Sequence, residues 1–427
     1  MQIRLALSFL LSYVLLSTAS LPPKIYGVNL GGWLVLESWM CPQEWLDMGG
    51  EICTDCRDCM SGEFDLAQNY PDEVDDLFDN HWRTWFTQSD VDDFVDLGIN
   101  TVRVPLGYWI VEDLVDPNTE YFPKGGMAHL KRGLEMLDDA GIAVILDHHA
   151  LPGVQASMQL FTGKCTDDVQ FYTPENYHRA LAWTAVITAL TYFDTSFSPV
   201  VAIEAVNEPL MDASKTPGGI ENAVGPTLNA TMSKACTDAQ NWPIRAAMQE
   251  AAGILEDMQV EIGGQGPYRA PGDGLIVNFM DVNWQYNNPS NPIDAVQGRA
   301  GFDNHLYYSF GGVAAATPDA YLTSICNLNR LQADAALGDT PLWFGEWGLA
   351  TEFNATDEFL RQWADAQKMA YSKGAGWLFW NFKIEDSDAA ANKTGQWSYI
   401  NGVKLGYLTR DPAEYWDEHV CDAYVVD

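Results

Sequence analysis

Two glutamates stand where glutamate is costly. Glu346 lies inside the apolar run PLWFGEWG (341–348), and Glu208 closes VVAIEAVNEPL (200–210). A charge in such a run costs several kcal/mol, on the order of its lost hydration, unless it is paired or used. Two carboxyls brought face to face over a sugar-sized gap can cleave a glycosidic bond. One gives a proton to the leaving oxygen while the other attacks the anomeric carbon or activates water. At a carboxyl separation of roughly 5–5.5 Å the outcome is retention through a covalent intermediate. Closeness also raises one pKa, which keeps an acid protonated near the working pH. The plainer expectation is that each glutamate is a buried ion pair with an arginine such as Arg103.

Whatever positions these two must be rigid and repetitive. Short β-rich runs at 25–31, 100–106, 143–149, 200–209, 275–279, 302–307, 342–347 and 377–383 alternate with helix-like stretches. The clearest helices are expected at 89–98, 127–141 and 356–374; Leu130, Leu134 and Leu137 share one face of the second, and Gly141 stops it. Eight strands alternating with helices predict an α/β fold, a (β/α)8 TIM barrel with loop insertions at 41–70 and 211–242. A doubly wound sheet would want a Gly-rich phosphate turn after the first strand, and NLGGWLVLE does not supply one. Chemistry in a barrel sits at the C-terminal strand ends. There the chain repeatedly places polar groups after an apolar run: Arg103, His148, His149, Asn207, Glu208, His305, Tyr307, Glu346, Trp380 and Asn381. One such residue would be a satisfied core group; so many at equivalent positions point to a site. Glu204, four residues before Glu208, is expected inside the barrel as a buried, paired carboxyl, and His148 is expected to be structural.

Composition narrows the partner. The net charge of −36 repels nucleic acid and anionic lipid, so neither nucleic-acid binding nor membrane insertion is expected, and a neutral ligand is tolerated. Sixteen tryptophans offer flat faces for sugar rings beyond what a core needs. Arg4, the apolar stretch 5–16 and the small residues Ser17, Thr18 and Ala19 make a secretory signal (1–19), leaving one catalytic domain over 20–427. The protein is therefore expected to be secreted, extracellular or wall-associated, and monomeric. Its eight cysteines then sit in an oxidising compartment. The triplet Cys53, Cys56 and Cys59 lacks the second half of a zinc site, so disulfides are expected and no metal. Asn229, Asn354 and Asn392 head glycosylation sequons.

The motifs together resemble glycoside hydrolase family 5, within the clan of retaining (β/α)8 glycosidases. AVNEP (205–209) and FGEWG (344–348) are similar to its acid/base and nucleophile strands; GVNLGGWLVLESWM (27–40), NTVRVPLGYW (100–109), DHHALPG (147–153), HLYY (305–308) and GWLFW (376–380) follow in the family's order. The opening is most similar to fungal exo-β-1,3-glucanases. The resemblance implies that Glu208 is the general acid/base and Glu346 the nucleophile. It implies that Asn207 bonds the 2-hydroxyl and that Arg103 holds the nucleophile ionised. His149, His305 and Tyr307 would orient sugar and carboxylates, Trp380 would floor the sugar ring, and Glu37 would read the non-reducing-end sugar. No cofactor is implied. The substrate implied is a β-glucan polysaccharide or oligosaccharide, with β-1,3 exo action in wall-glucan metabolism as the first reading. The alternatives are an endo-β-1,6-glucanase or another β-glycosidase of the family, and, further off, a non-catalytic glucan-binding protein. The loops at 41–64 and 154–168 depart from the exo-glucanase pattern, which leaves linkage and exo or endo action open.

Overall fold

The computed structural model describes residues 20–210, 242–260, 268–269, 275–280, 300–337, 340–390 and 394–426. Eight parallel strands form a closed barrel in chain order. They are β1 (Ile25–Asn29), β2 (Thr101–Gly107), β3 (Ala143–Ala150), β4 (Val200–Glu204), β5 (Ile276–Phe279), β6 (Ala300–His305), β7 (Leu342–Glu346) and β8 (Gly376–Phe379). Closure is made by β1 against β8, with Ile25 opposite Gly376 and Val28 opposite Phe379. The strands are rich in Val, Ile, Leu and Phe because both faces are covered, one by the barrel interior and one by helices. All residues of β2, β3, β4, β7 and β8 are buried. This is the (β/α)8 barrel expected from the alternation.

The expected helices appear as Gln88–Asp96, Gly126–Asp139 and Asp357–Tyr371. Several begin at a threonine whose hydroxyl accepts an otherwise orphaned backbone N–H: Thr173 from Asn176, Thr317 from Ala320 and Thr356 from Phe359. Pro174 and Pro318 follow two of these caps at a position where the missing N–H costs nothing. Among the described residues no helix is long and apolar enough to cross a membrane.

The Cys53, Cys56 and Cys59 thiols are used in disulfides, Cys53–Cys59 and Cys56–Cys165, and a third bond joins Cys326 to Cys421. Cys41 is buried and unpaired among the described residues. Cys236 lies outside the described residues, as do the sequons at Asn229 and Asn392, the 211–241 part of the second insertion and the 1–19 signal. Asn354 is exposed.

Candidate active site

Three strand ends and one buried arginine assemble the site. Arg103 was expected at a strand end but lies third in β2, wholly buried. Its side chain reaches several partners at once. Nη1 donates to Glu346 Oε1 at 2.7 Å and Asn29 Oδ1 at 3.1 Å; Nε donates to Glu204 Oε2 at 2.9 Å; Nη2 donates to Asn207 Oδ1 at 2.8 Å and meets Asp147 Oδ2 at 3.0 Å. The planar, permanently charged fork is what lets one cation serve so many acceptors. Glu204 is thus paired inside the barrel, as the sequence suggested.

Glu346 ends β7 and points into the mouth. The glycine before it has a purpose. Asp303 of β6 accepts the Gly345 N–H at 2.6 Å, and a Cβ at Gly345 would come within 2.1 Å of that carboxyl. Glu208 corrects the sequence reading in one respect. β4 ends at Glu204, so Glu208 follows in a turn, with φ of +42°. A non-glycine residue holds this left-handed conformation where its surroundings fix it. Here the Asn207 N–H donates to the His148 carbonyl at 3.1 Å, and the Leu210 N–H to the Tyr172 hydroxyl at 2.8 Å.

The two glutamates meet at one imidazole. His305 Nδ1 lies 2.8 Å from Glu208 Oε1 and 3.4 Å from Glu346 Oε2, and oxygens of the two carboxyls come within 4.8 Å of each other. Tyr307 OH donates to Glu346 Oε2 at 2.9 Å. Burial, then the Glu37, Asp147 and Glu204 charges, push Glu208 up to about 8 against the opposing pull of Arg103. Burial also raises Glu346, with Glu208 adding to it and Arg103 and Tyr307 opposing. Such a pair holds one proton between them. Geometry assigns it to Glu208: Glu346 accepts from Arg103 and Tyr307, whereas the Glu208 side chain is 16% exposed to the cleft against 6% for Glu346. Burial and Arg103 hold His149 and His305 well below the ordinary imidazole range, so both are neutral.

Around this pair lies a cleft of about 1070 Å³ lined by Glu37, His149, Asn207, Glu208, Tyr307, Glu346 and Trp380. Asn207 gives its oxygen to Arg103, and its Nδ2 has no partner among the described residues. His149 Nδ1 is held by Asp147 at 2.6 Å, its Nε2 has no partner among the described residues, and its ring lies parallel to Trp380 with centroids 5.5 Å apart. Both polar side chains line the cleft. Glu37 Oε2 accepts from Trp39 Nε1 at 2.9 Å, and burial raises its carboxyl to about 7. His148 turns outward and stacks on Trp183, centroids 3.9 Å apart, which fits a structural role.

Sequence reasoning missed Asp147 and Asp303, and it missed the cleft aromatics Trp39, Phe161, Phe310 and Trp397. Trp39 and Asp147 stood inside quoted motifs; Phe310 lies in a loop and Trp397 in the one-turn helix Thr394–Trp397, which no periodicity marks.

A model of the cellulase family (glycosyl hydrolase family 5) matches residues 72–386. The chain belongs to glycosyl hydrolase family 5. It is a glycoside hydrolase. A glucan endo-1,6-beta-glucosidase B of Emericella nidulans is 30% identical over 409 residues, covering 93% of this chain and 88% of that protein. A glucan 1,3-beta-glucosidase of Kluyveromyces lactis is 26% identical over 419 residues, covering 90% and 88%. Among solved structures, a rutinosidase from Aspergillus niger shares the fold, with a TM-score of 0.61 at 20% identity, covering 90% of this chain and 97% of that one.

The acid-rich interior of this hydrolase has a consequence for stability. Burial raises Glu37, Asp147 and Glu204 to about 7 and Glu63 and Glu208 to about 8. Each binds a proton in the folded state that the unfolded chain releases near pH 4–4.5. The contribution is therefore complete below that range and is lost as pH rises through 7–8. Melting temperature is expected to fall by on the order of 5 °C between pH 5 and pH 8 at constant ionic strength. A flat profile, or a maximum above pH 8, would show these carboxyls to be ionised in the fold.

Proposed function

We propose that the protein is a secreted, retaining endo-β-1,6-glucanase. The observation that carries the mechanism is the pair Glu208 and Glu346, with oxygens within 4.8 Å across one imidazole. That closeness suits double displacement. Glu346 Oε2 attacks the anomeric carbon while the protonated Glu208 gives its proton to the departing glycosidic oxygen. The glycosyl ester on Glu346 is then hydrolysed by a water that Glu208 deprotonates, which returns both carboxyls to their starting states. Arg103 and Tyr307 hold the nucleophile. His305 orients both carboxyls, Asn207 donates to the 2-hydroxyl, His149 and Trp380 bracket the sugar, and Glu37 reads its far hydroxyls.

Linkage rests on different observations. The opening motif favours β-1,3 exo action, but relatives named for endo-1,6 activity align at 29–31% identity, against 25–26% for those named for 1,3 activity. The loops that depart from the exo-glucanase pattern also line the cleft, through residues 53–56 and 156–161. The endo-β-1,6 alternative is therefore preferred to the exo-β-1,3 reading. The apolar N-terminal leader and the three disulfides support secretion, with residues 20–427 acting as one monomeric catalytic domain.

Soluble β-1,6-glucan and β-1,3-glucan, digested separately and followed over time, test this. A ladder of β-1,6-linked oligosaccharides is expected from the first and at least about ten-fold slower release from the second, a difference of one well-placed contact. Glucose alone, released from the β-1,3 polymer, would restore the exo-β-1,3 reading.

A further inference from the structure

The 41–70 insertion is built around a buried acid. Glu63 opens the helix Glu63–Asn69 and is fully buried. Its Oε1 accepts the Leu36 backbone N–H at 2.5 Å. Burial pushes the carboxyl up to about 8, and that N–H and Trp109 pull it back. A buried carboxyl is an expensive way to satisfy one N–H. What it holds explains the expense, since Leu36 precedes Glu37, whose carboxyl faces the cleft.

The same segment grips the loop after β3. The Phe64 N–H donates to the Gly163 carbonyl at 3.0 Å, Cys56 is bonded to Cys165, and Arg57 pairs with Asp167 at 3.0 Å. Gly62 packs so closely that a Cβ there would come within 2.9 Å of the Gly163 carbonyl oxygen. Residues 53–56 and 158–161, from the two joined loops, both line the cleft. The insertion therefore ties the loop after β1 to the loop after β3 and makes one wall of them.

We propose that Glu63 is a positioning residue for sugar binding: it holds Leu36 so that Glu37 faces the substrate, at the base of the wall that the joined loops form. The assignment rests on the glycosidase reading above, with Glu37 as a sugar contact. It concerns binding, so its loss appears in KM more than in kcat.

The test measures kcat, KM and melting temperature for Glu63→Ala, Glu63→Gln, Glu37→Ala and the double alanine variant, on whichever glucan the unaltered protein hydrolyses. Glu63→Ala is expected to raise KM about ten-fold with a smaller loss in kcat, as removal of uniform binding does. Glu63→Gln keeps an oxygen for Leu36 and is expected within about three-fold of the unaltered KM. In the Glu37→Ala background, Glu63→Ala should add less than about two-fold, because residues acting through one contact are not additive. If alanine unfolds the chain, Glu63→Met fills the volume without an acceptor and takes its place. Additive effects, or a KM that does not move while melting temperature falls, overturn the assignment. Failure of the unaltered protein on both glucans would instead overturn the functional reading.

Discussion

Glu346→Gly is expected to lose at least about 10⁴-fold in rate on a dinitrophenyl β-glucoside, the scale seen when a nucleophile or its proton partner is removed. Azide should restore part of that rate, and the product should be the α-glycosyl azide. With the nucleophile gone, a small anion enters the space beside Arg103 Nη1 and Tyr307 OH, which held Glu346. It displaces the leaving group once, with inversion. Glu208→Ala should behave differently. The nucleophile remains, the activated leaving group departs without a proton, and azide opens the glycosyl ester in a second displacement to give the β-glycosyl azide. The two roles are thereby separable by product configuration in an NMR tube. The same anomer from both variants would mean that the roles of Glu208 and Glu346 are misassigned. Full activity of Glu346→Gly would end the mechanism. The alkaline limb of kcat/KM for a natural glucan should lie near 8, where Glu208 loses its proton.

Arg103→Met is expected to cost about 3–5 kcal/mol of folding stability and to abolish activity, because it removes one partner from a buried charge cluster. Asp147 and Glu204 are wholly buried and Glu346 nearly so, and all three lean on this guanidinium. Without it they can only take up protons. The deficit should therefore shrink as pH falls, since protonation removes the uncompensated charge. Urea unfolding at pH 5 and pH 8 reads this directly: the gap to the unaltered protein should be larger at pH 8. Arg103→Lys is expected to recover part of the stability and little of the activity, since an ammonium cannot present Nε, Nη1 and Nη2 to separate acceptors. Equal deficits at both pH values would show that the arginine contributes packing and not charge.

The carboxyls around Arg103 carry their marks in the sequence unevenly. Glu208 and Glu346 stood out because a charge in an apolar run must be explained, and the eight alternating runs supplied a barrel to explain it. Arg103, His149, Asn207, His305, Tyr307 and Trp380 followed from their place after or within those runs, and Glu204 from its pleat. These are local facts: periodicity of two in strands, near 3.6 in helices, and the price of burying charge, all of which act over a few neighbouring residues. What needed the tertiary structure is what lies far apart in the chain. Nothing near Asp303 says that its carboxyl holds the backbone N–H of Gly345, and nothing near Glu63 says that it holds Leu36. Nor does spacing among the cysteines reveal that Cys56 reaches Cys165, since cysteine connectivity depends on which loops the barrel brings together. The strand end at Glu204, with Glu208 beyond it in a left-handed turn, was likewise decided by contacts from His148 and Tyr172 on other elements. Sequence by itself determined the barrel and singled out its two glutamates. Only the closed barrel decided which loops join to wall the cleft, because that depends on distances between segments about a hundred residues apart.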